Sequence, residues 1–118
     1  MAVKEAIISV TLPAAADLRT RQYSFVSIGA GGTVDVTGND AHADGVLLND
    51  PNTGEAAIVA ISGIVKVKCG ADVTRGGNVG SGANGLAKNA GSASVILGTA
   101  IETGADGRVI SILFHPRG

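Results

Sequence analysis

The sequence predicts an all-β protein: a small glycine-rich β-barrel, or barrel-like sandwich, built from two pseudo-twofold-related repeats with an N-terminal extended segment. Three observations carry this. Val (13) and Ile (10) outnumber Leu (7) and Met (1), and branched side chains suit a pleated surface. The chain also holds 18 glycines, which are costly inside helices and inexpensive in turns. Finally, the stretch from Phe25 to Ile61 lies on the stretch from Asn78 to Phe114 without a gap, at a constant shift of 53 residues.

The expected elements are as follows, in chain order. Apolar runs of strand length occupy residues 3–12, 23–28, 33–36, 45–48, 56–61, 64–68, 94–101 and 108–114, separated by Gly, Asn, Asp and Pro clusters. After Pro13, residues 14–19 offer the one plausible helical turn, too short to stand without packing. In "VKVK" (residues 65–68) strict alternation puts Lys66 and Lys68 on one face, directed to solvent or to an interface. "NDPNTG", from Asn49 to Gly54, has the Asp-Pro start and late Gly of a turn, and as a loop on a scaffold it is also a candidate for binding.

The repeat organises these pieces. Five glycines coincide under the shift (Gly29 with Gly82, Gly32 with Gly85, Gly38 with Gly91, Gly45 with Gly98, Gly54 with Gly107), where chance placement gives about one. Upstream, Ala16-Asp17-Leu18 and Thr20-Arg21 match Ala71-Asp72-Val73-Thr74-Arg75 with two single-residue slips. Asp17 and Asp72 therefore read as framework, each carboxylate fixing its own turn with help from the following arginine. The expected organisation is one domain: an N-terminal segment (1–7), repeat one (about 8–61), repeat two (about 64–114) and a short tail (115–118). Each unit alone is marginal, and each buries its apolar face against the other.

Chemistry is sparse. A formal net charge of −1 provides no field to draw the chain to nucleic acid or an anionic membrane, no apolar run reaches membrane-span length, and three aromatics are too few for stacking on single strands. "GSGANG" (residues 80–85) spells the G-x-G-x-x-G of a pyrophosphate-binding turn. Its repeat counterpart is "SIGAGG", and the next residues, 86–92, have neither a helical period nor a cap, so it reads as a hairpin turn. In "NDAHADG", Asp40, His42 and Asp44 alternate, but the pattern departs from a calcium loop, which wants an oxygen ligand at His42 and a glutamate at Pro51. Cys69 reads as a small buried hydrophobe, and His115 as the exit of the last strand. No nucleophile elbow or acid pair appears. The expectation is a non-enzyme without cofactor or metal and without nucleic-acid or membrane partners.

The phrases "VTLPAAADL", "FVSIGAGGTVDV", "ADGVLLNDPNTGEAAIVAISGIVKVKCGADVTRGGNV" and "ILGTAIETGADGRVISILF" together resemble the capsid cement, or head decoration, proteins of tailed bacteriophages. The resemblance spans roughly residues 8–114. It implies a β-rich domain on the outer surface of the phage capsid, made in the host bacterial cytoplasm, stabilising the expanded head as a homotrimer bound to the major capsid protein. It brings no catalytic residues. For contacts with other subunits or the shell, the N-terminal strand is the expected element: Val3, Lys4, Glu5, Ala6, Ile7 and Ile8 form an extended stretch able to add to a sheet edge. The alternative is a biotinyl/lipoyl-like barrel acting as a non-catalytic binding or carrier module, since "SGIVKVKCGADVTRGGNV" also resembles half of such a domain. Its candidate tip lysine, Lys88, lacks the flanking residues a carrier needs.

Overall fold

The computed structural model describes residues 8–90 and 95–117. It is all-β, with strands β1 (Ile8–Pro13), β2 (Phe25–Ile28), β3 (Val34–Val36), β4 (Gly45–Leu47), β5 (Ala56–Lys68), β6 (Asn78–Ser81), β7 (Ala87–Asn89), β8 (Ile96–Ala100) and β9 (Val109–Arg117). They run β3-β2-β4-β5-β9-β8-β6-β7 in one antiparallel sheet, with β1 also beside β5. Among the described residues no helix is long and apolar enough to cross a membrane.

The duplication governs the backbone down to individual pairs. Val26 pairs with Val36 and Val79 with Asn89; Phe25 pairs with Val46 and Asn78 with Thr99; Val46 pairs with Ala60 and Thr99 with Leu113. The two slips upstream have their counterpart too. Val10 lies opposite Val59 as Val65 lies opposite Ile112, and Ala14 bridges Val34 as Cys69 bridges Ala87. These lone parallel bridges bring the two ends of each five-strand set together, so each repeat curls around its own interior. β5 serves both: its first half is the last strand of repeat one, and its second half the first strand of repeat two. Sequence runs 56–61 and 64–68 are thus one strand, carried through Gly63 at φ 104°.

Two other expectations shift. Residues 14–19 form no helical turn, because the Ala14 carbonyl accepts from the Gly54 amide and the Leu18 amide donates to the Pro51 carbonyl (both 2.9 Å), so the pair that would close such a turn is bonded elsewhere. Among the described residues a single 3-10 turn occurs instead, at Ala83–Gly85. Strands β6 and β7, "NVGS" and "AKN", contain few apolar residues and are visible in the sequence only through the repeat.

Alternation along the strands separates inside from outside. Ala57, Val59, Val65 and Val67 of β5 are buried while Ile58 and Lys66 are exposed, as the "VKVK" pattern requires. Repeat one encloses Ala14, Leu18, Val26, Val34, Leu47, Ala57 and Val59. Their equivalents in repeat two, from Cys69 and Val73 to Ile112, belong to a second, larger cluster that also takes in Phe25, Val46 and Ala60 from the outer face of repeat one. Burying a side chain of this size stabilises by about 1.5–3 kcal/mol, so the outer-face residues make the contact between repeats a true extension of the core.

Candidate interaction surfaces

The seam between the repeats is built from surfaces that are not equivalent. Repeat one contributes Phe25, whose ring stacks on Phe114 with centroids 6.2 Å apart, and the Tyr23 carbonyl, which accepts from the Lys68 amide at 2.9 Å. The Asp40 amide donates to the Ser81 carbonyl at 2.8 Å. Lys88 of β7 reaches across to Asp40, Nζ to Oδ1 at 2.6 Å, and to Asn39 Oδ1 at 3.1 Å.

"GSGANG" lies in this seam. Gly85 has φ 74°, and a β-carbon on it would stand 2.5 Å from the Phe25 carbonyl oxygen, so glycine is needed both for the turn and for the approach of another strand's backbone. Asn84 occupies the left-handed region at φ 58°. The amides a phosphate would need are already used within the turn: Gly82 N donates to Leu86 O (2.6 Å), and Gly85 N to Gly82 O (3.3 Å). β7 comes next rather than a helix, so there is no helix dipole to face an anion. A cavity of about 210 Å³ opens beside the turn, walled by Asn39, Gly70, Ala71, Gly82, Leu86 and Lys88.

The residues of "NDAHADG" do not converge. Asp40 is held by Lys88, while Asp44 Oδ2 accepts the Ile28 amide at 2.7 Å and the His42 carbonyl accepts from Ser27 Oγ at 2.9 Å. Among the described residues no three of His, Cys, Asp and Glu stand together to hold a metal ion. Cys69 is buried, and that burial raises its thiol pKa. His115 Nε2 lies 3.2 Å from Thr99 Oγ1.

Asp17 fixes its turn as expected, but through Arg19 rather than Arg21. Its carboxylate accepts from the Arg19 backbone amide at 3.1 Å and from the guanidinium at 2.9 and 2.8 Å. The Arg19 side chain and then its amide lower the Asp17 pKa to about 2. Among the described residues Asp72 makes no such bond; in its repeat Arg75 turns to the Ile101 carbonyl (2.9 Å). The "NDPNTG" turn is tied to β5, Asn49 Oδ1 accepting from the Ile58 amide and Asn49 Nδ2 donating to the Ala56 carbonyl, both at 2.9 Å. Glu102 does the same for the Ser111 amide in repeat two. Lys88 sits within β7 opposite Gly80, not at a hairpin tip, which removes the geometry of a carrier lysine.

Of the expected contact residues, Val3, Lys4, Glu5, Ala6 and Ile7 lie outside the described residues. Ile8 opens β1 opposite Ser62, 59% exposed, with a register shift just after it. Five further large apolar side chains are exposed among the described residues: Ile28 and Ile58 in repeat one, and Ile101, Val109 and Leu113 in repeat two. Sequence reasoning does not single these out. A strand alternating between apolar residues inside and outside carries no periodic signal of which side is covered.

No protein-family model matches the sequence, and no curated protein matches it. Comparison with solved structures gives a crystal structure of the head fiber gp8.5 N base in bacteriophage phi29. It superposes with a TM-score of 0.79, at 20% sequence identity, over 93% of this chain and 95% of that one. The two chains share a fold. Nearly complete coverage of both means that the whole duplicated unit, rather than one curled repeat, is common to them.

Proposed function

We propose that this protein is a structural component of a phage virion that binds the outer surface of the capsid and stabilises the expanded head. The observation that carries this reading is the fold shared with a phage head fiber base over almost the full length of both chains. It is supported by the resemblance of residues 8–114 to head decoration proteins, which rests on different features of the chain. A glycine-turned double repeat with internally satisfied loops and exposed apolar strands is suited to binding by surface complementarity. In this reading the chain is not an enzyme, its partner is the major capsid protein, and it acts as a homotrimer. Many copies on a lattice make weak individual contacts sufficient, because each further contact is effectively intramolecular.

The test is cosedimentation of the purified protein with expanded heads that lack it, followed by heating or osmotic shock. Saturable binding and better survival of the decorated heads are expected. A protein that stays in the supernatant at every concentration refutes the assignment.

A further inference from the structure

Asn84-Gly85, inside "GSGANG", is the one Asn-Gly pair in the chain. Such a pair can react with itself: the glycine amide nitrogen attacks the asparagine side-chain amide, and with no β-carbon on the glycine the approach is unhindered. The Asn84 side chain is exposed and, among the described residues, makes no hydrogen bond, so its amide is open to attack and ammonia can leave to solvent. The main chain is set against the reaction. At φ 58° and ψ 27° the Gly85 nitrogen lies on the far side of the Cα–C bond from the Asn84 side chain. Bringing the two together turns ψ of Asn84 through more than a right angle and carries Gly85 off its seat on the Phe25 backbone, where a β-carbon would stand 2.5 Å from the carbonyl oxygen. The same rotation disturbs the turn's own bonds, Gly85 N to Gly82 O and Leu86 N to Ala83 O, both 3.3 Å. Repeat one has Gly31 at the equivalent place, so the reactive pair belongs to the seam alone.

We propose that Asn84 is a deamidation site gated by the seam between the repeats: it reacts only in molecules whose 81–86 hairpin has lifted from Phe25, and the reaction marks those molecules irreversibly. In the open state hydroxide takes the Gly85 amide proton and the nitrogen attacks Asn84 Cγ. A Cγ–N bond forms, the Cγ–Nδ2 bond breaks, and Nδ2 takes up a proton from water and leaves as ammonia. Water then opens the cyclic imide at either carbonyl, so the residue ends as an aspartate or as a β-linked isoaspartate. Water is the sole co-reactant. Both products carry a charge that the amide lacked, and the isoaspartate puts one more carbon into the main chain between Ala83 and Gly85. A turn so lengthened no longer presents Gly85 to the Phe25 backbone, and the seam does not close as before. Opening and reclosing of a hairpin is fast beside this chemistry, so the rate of modification follows the fraction of molecules that are open. The gate belongs to the folded chain itself, whatever that chain binds.

Peptide mapping after incubation in mildly alkaline buffer tests it. Trypsin releases residues 76–88, in which the change from amide to acid raises the mass and the β-linkage shifts the retention time. The folded parent modifies Asn84 at least about tenfold more slowly than the urea-unfolded chain, which sets the unprotected limit. Lys88→Met removes the ion pair to Asp40 across the seam and speeds modification about two- to fivefold, with an unchanged circular dichroism spectrum. Asn49→Ala, which frees the 49–54 turn of repeat one from β5 without touching the seam, leaves the rate as it is. A folded parent that reacts as fast as the unfolded chain overturns the proposal. So does a folded Lys88→Met chain no faster than the parent, or an Asn49→Ala chain accelerated as much as Lys88→Met.

Discussion

Ala60 and Leu113 occupy the same place in two copies of one motif, each opposite its repeat's equivalent residue, Val46 or Thr99. Ala60 is sealed from water, and Leu113 is 43% exposed. Backbone pairing, turn glycines and the apolar character of the interior positions are common to both repeats, while the outer faces differ according to what covers them. The register of a sheet is set by the pairs and turns that every copy must share. The outer face is free to become core, interface or solvent-facing surface.

The sharpest way to break this comparison is to truncate each side of it. Phe25→Ala removes a fully buried ring and its stacking on Phe114, and is expected to cost about 3–5 kcal/mol. Leu113→Ala, at the position where Ala60 sits in repeat one, is expected to cost under about 1 kcal/mol in the isolated chain. Urea unfolding of both variants, with unchanged slopes, measures the difference. Equal losses would mean that the outer face of repeat two is covered as completely as that of repeat one.

The glycines offer a second contrast. Gly85→Ala meets a left-handed φ of 74° and the Phe25 backbone together, whereas Gly32→Ala meets a φ of 78° with none of the described residues within 4 Å of the added carbon. Expected costs are about 2–4 kcal/mol for Gly85 and about 1 kcal/mol for Gly32, read from thermal or urea midpoints. Similar shifts at both sites would show that turn strain alone dominates and that the seam yields easily.

These contrasts also mark what the sequence makes readable. The 53-residue shift locates the strand pairs, including β6 and β7, whose own residues would not identify them. It does so because register and turn conformation depend on local features that a sequence displays: alternation, β-branching, and glycine where φ is positive. The seam is different. Phe25, Val46 and Ala60 become buried only once repeat two is placed against them, and nothing in "FVSI" or "GVLL" distinguishes a covered outer face from a bare one. The helical turn expected at 14–19 fails for the same reason, since the Ala14 carbonyl and the Leu18 amide, which would bond each other in such a turn, are bonded to distant Gly54 and Pro51. For the surfaces, Ile8 is the expected contact residue within the described part of the chain, and the exposed residues Ile28 and Leu113 emerge only from comparing the repeats in three dimensions.

The smallest effect concerns the paired turns at Asp17 and Asp72. Equivalent in sequence, they differ in chemistry, since Asp17 is bonded three times by Arg19 and Asp72 is not. The Asp17 pKa falls from the ordinary 3.8 to about 2 in the folded chain. A carboxylate whose pKa is depressed by folding contributes stability that is fully present above the unfolded value and is lost as pH falls through the folded one. The contribution of Asp17 should therefore be complete above about pH 4 and disappear between there and pH 2. Because the pair is exposed on the surface, salt and mobility weaken it, and only a shallow slope is expected. Asp17→Asn should flatten the acid limb of stability against pH in that window, leaving neutral-pH stability nearly unchanged. Denaturant midpoints at half-unit steps from pH 5 to 2 measure it, and an acid limb that Asp17→Asn leaves as steep as the parent's would show that the Arg19 clasp adds nothing to stability.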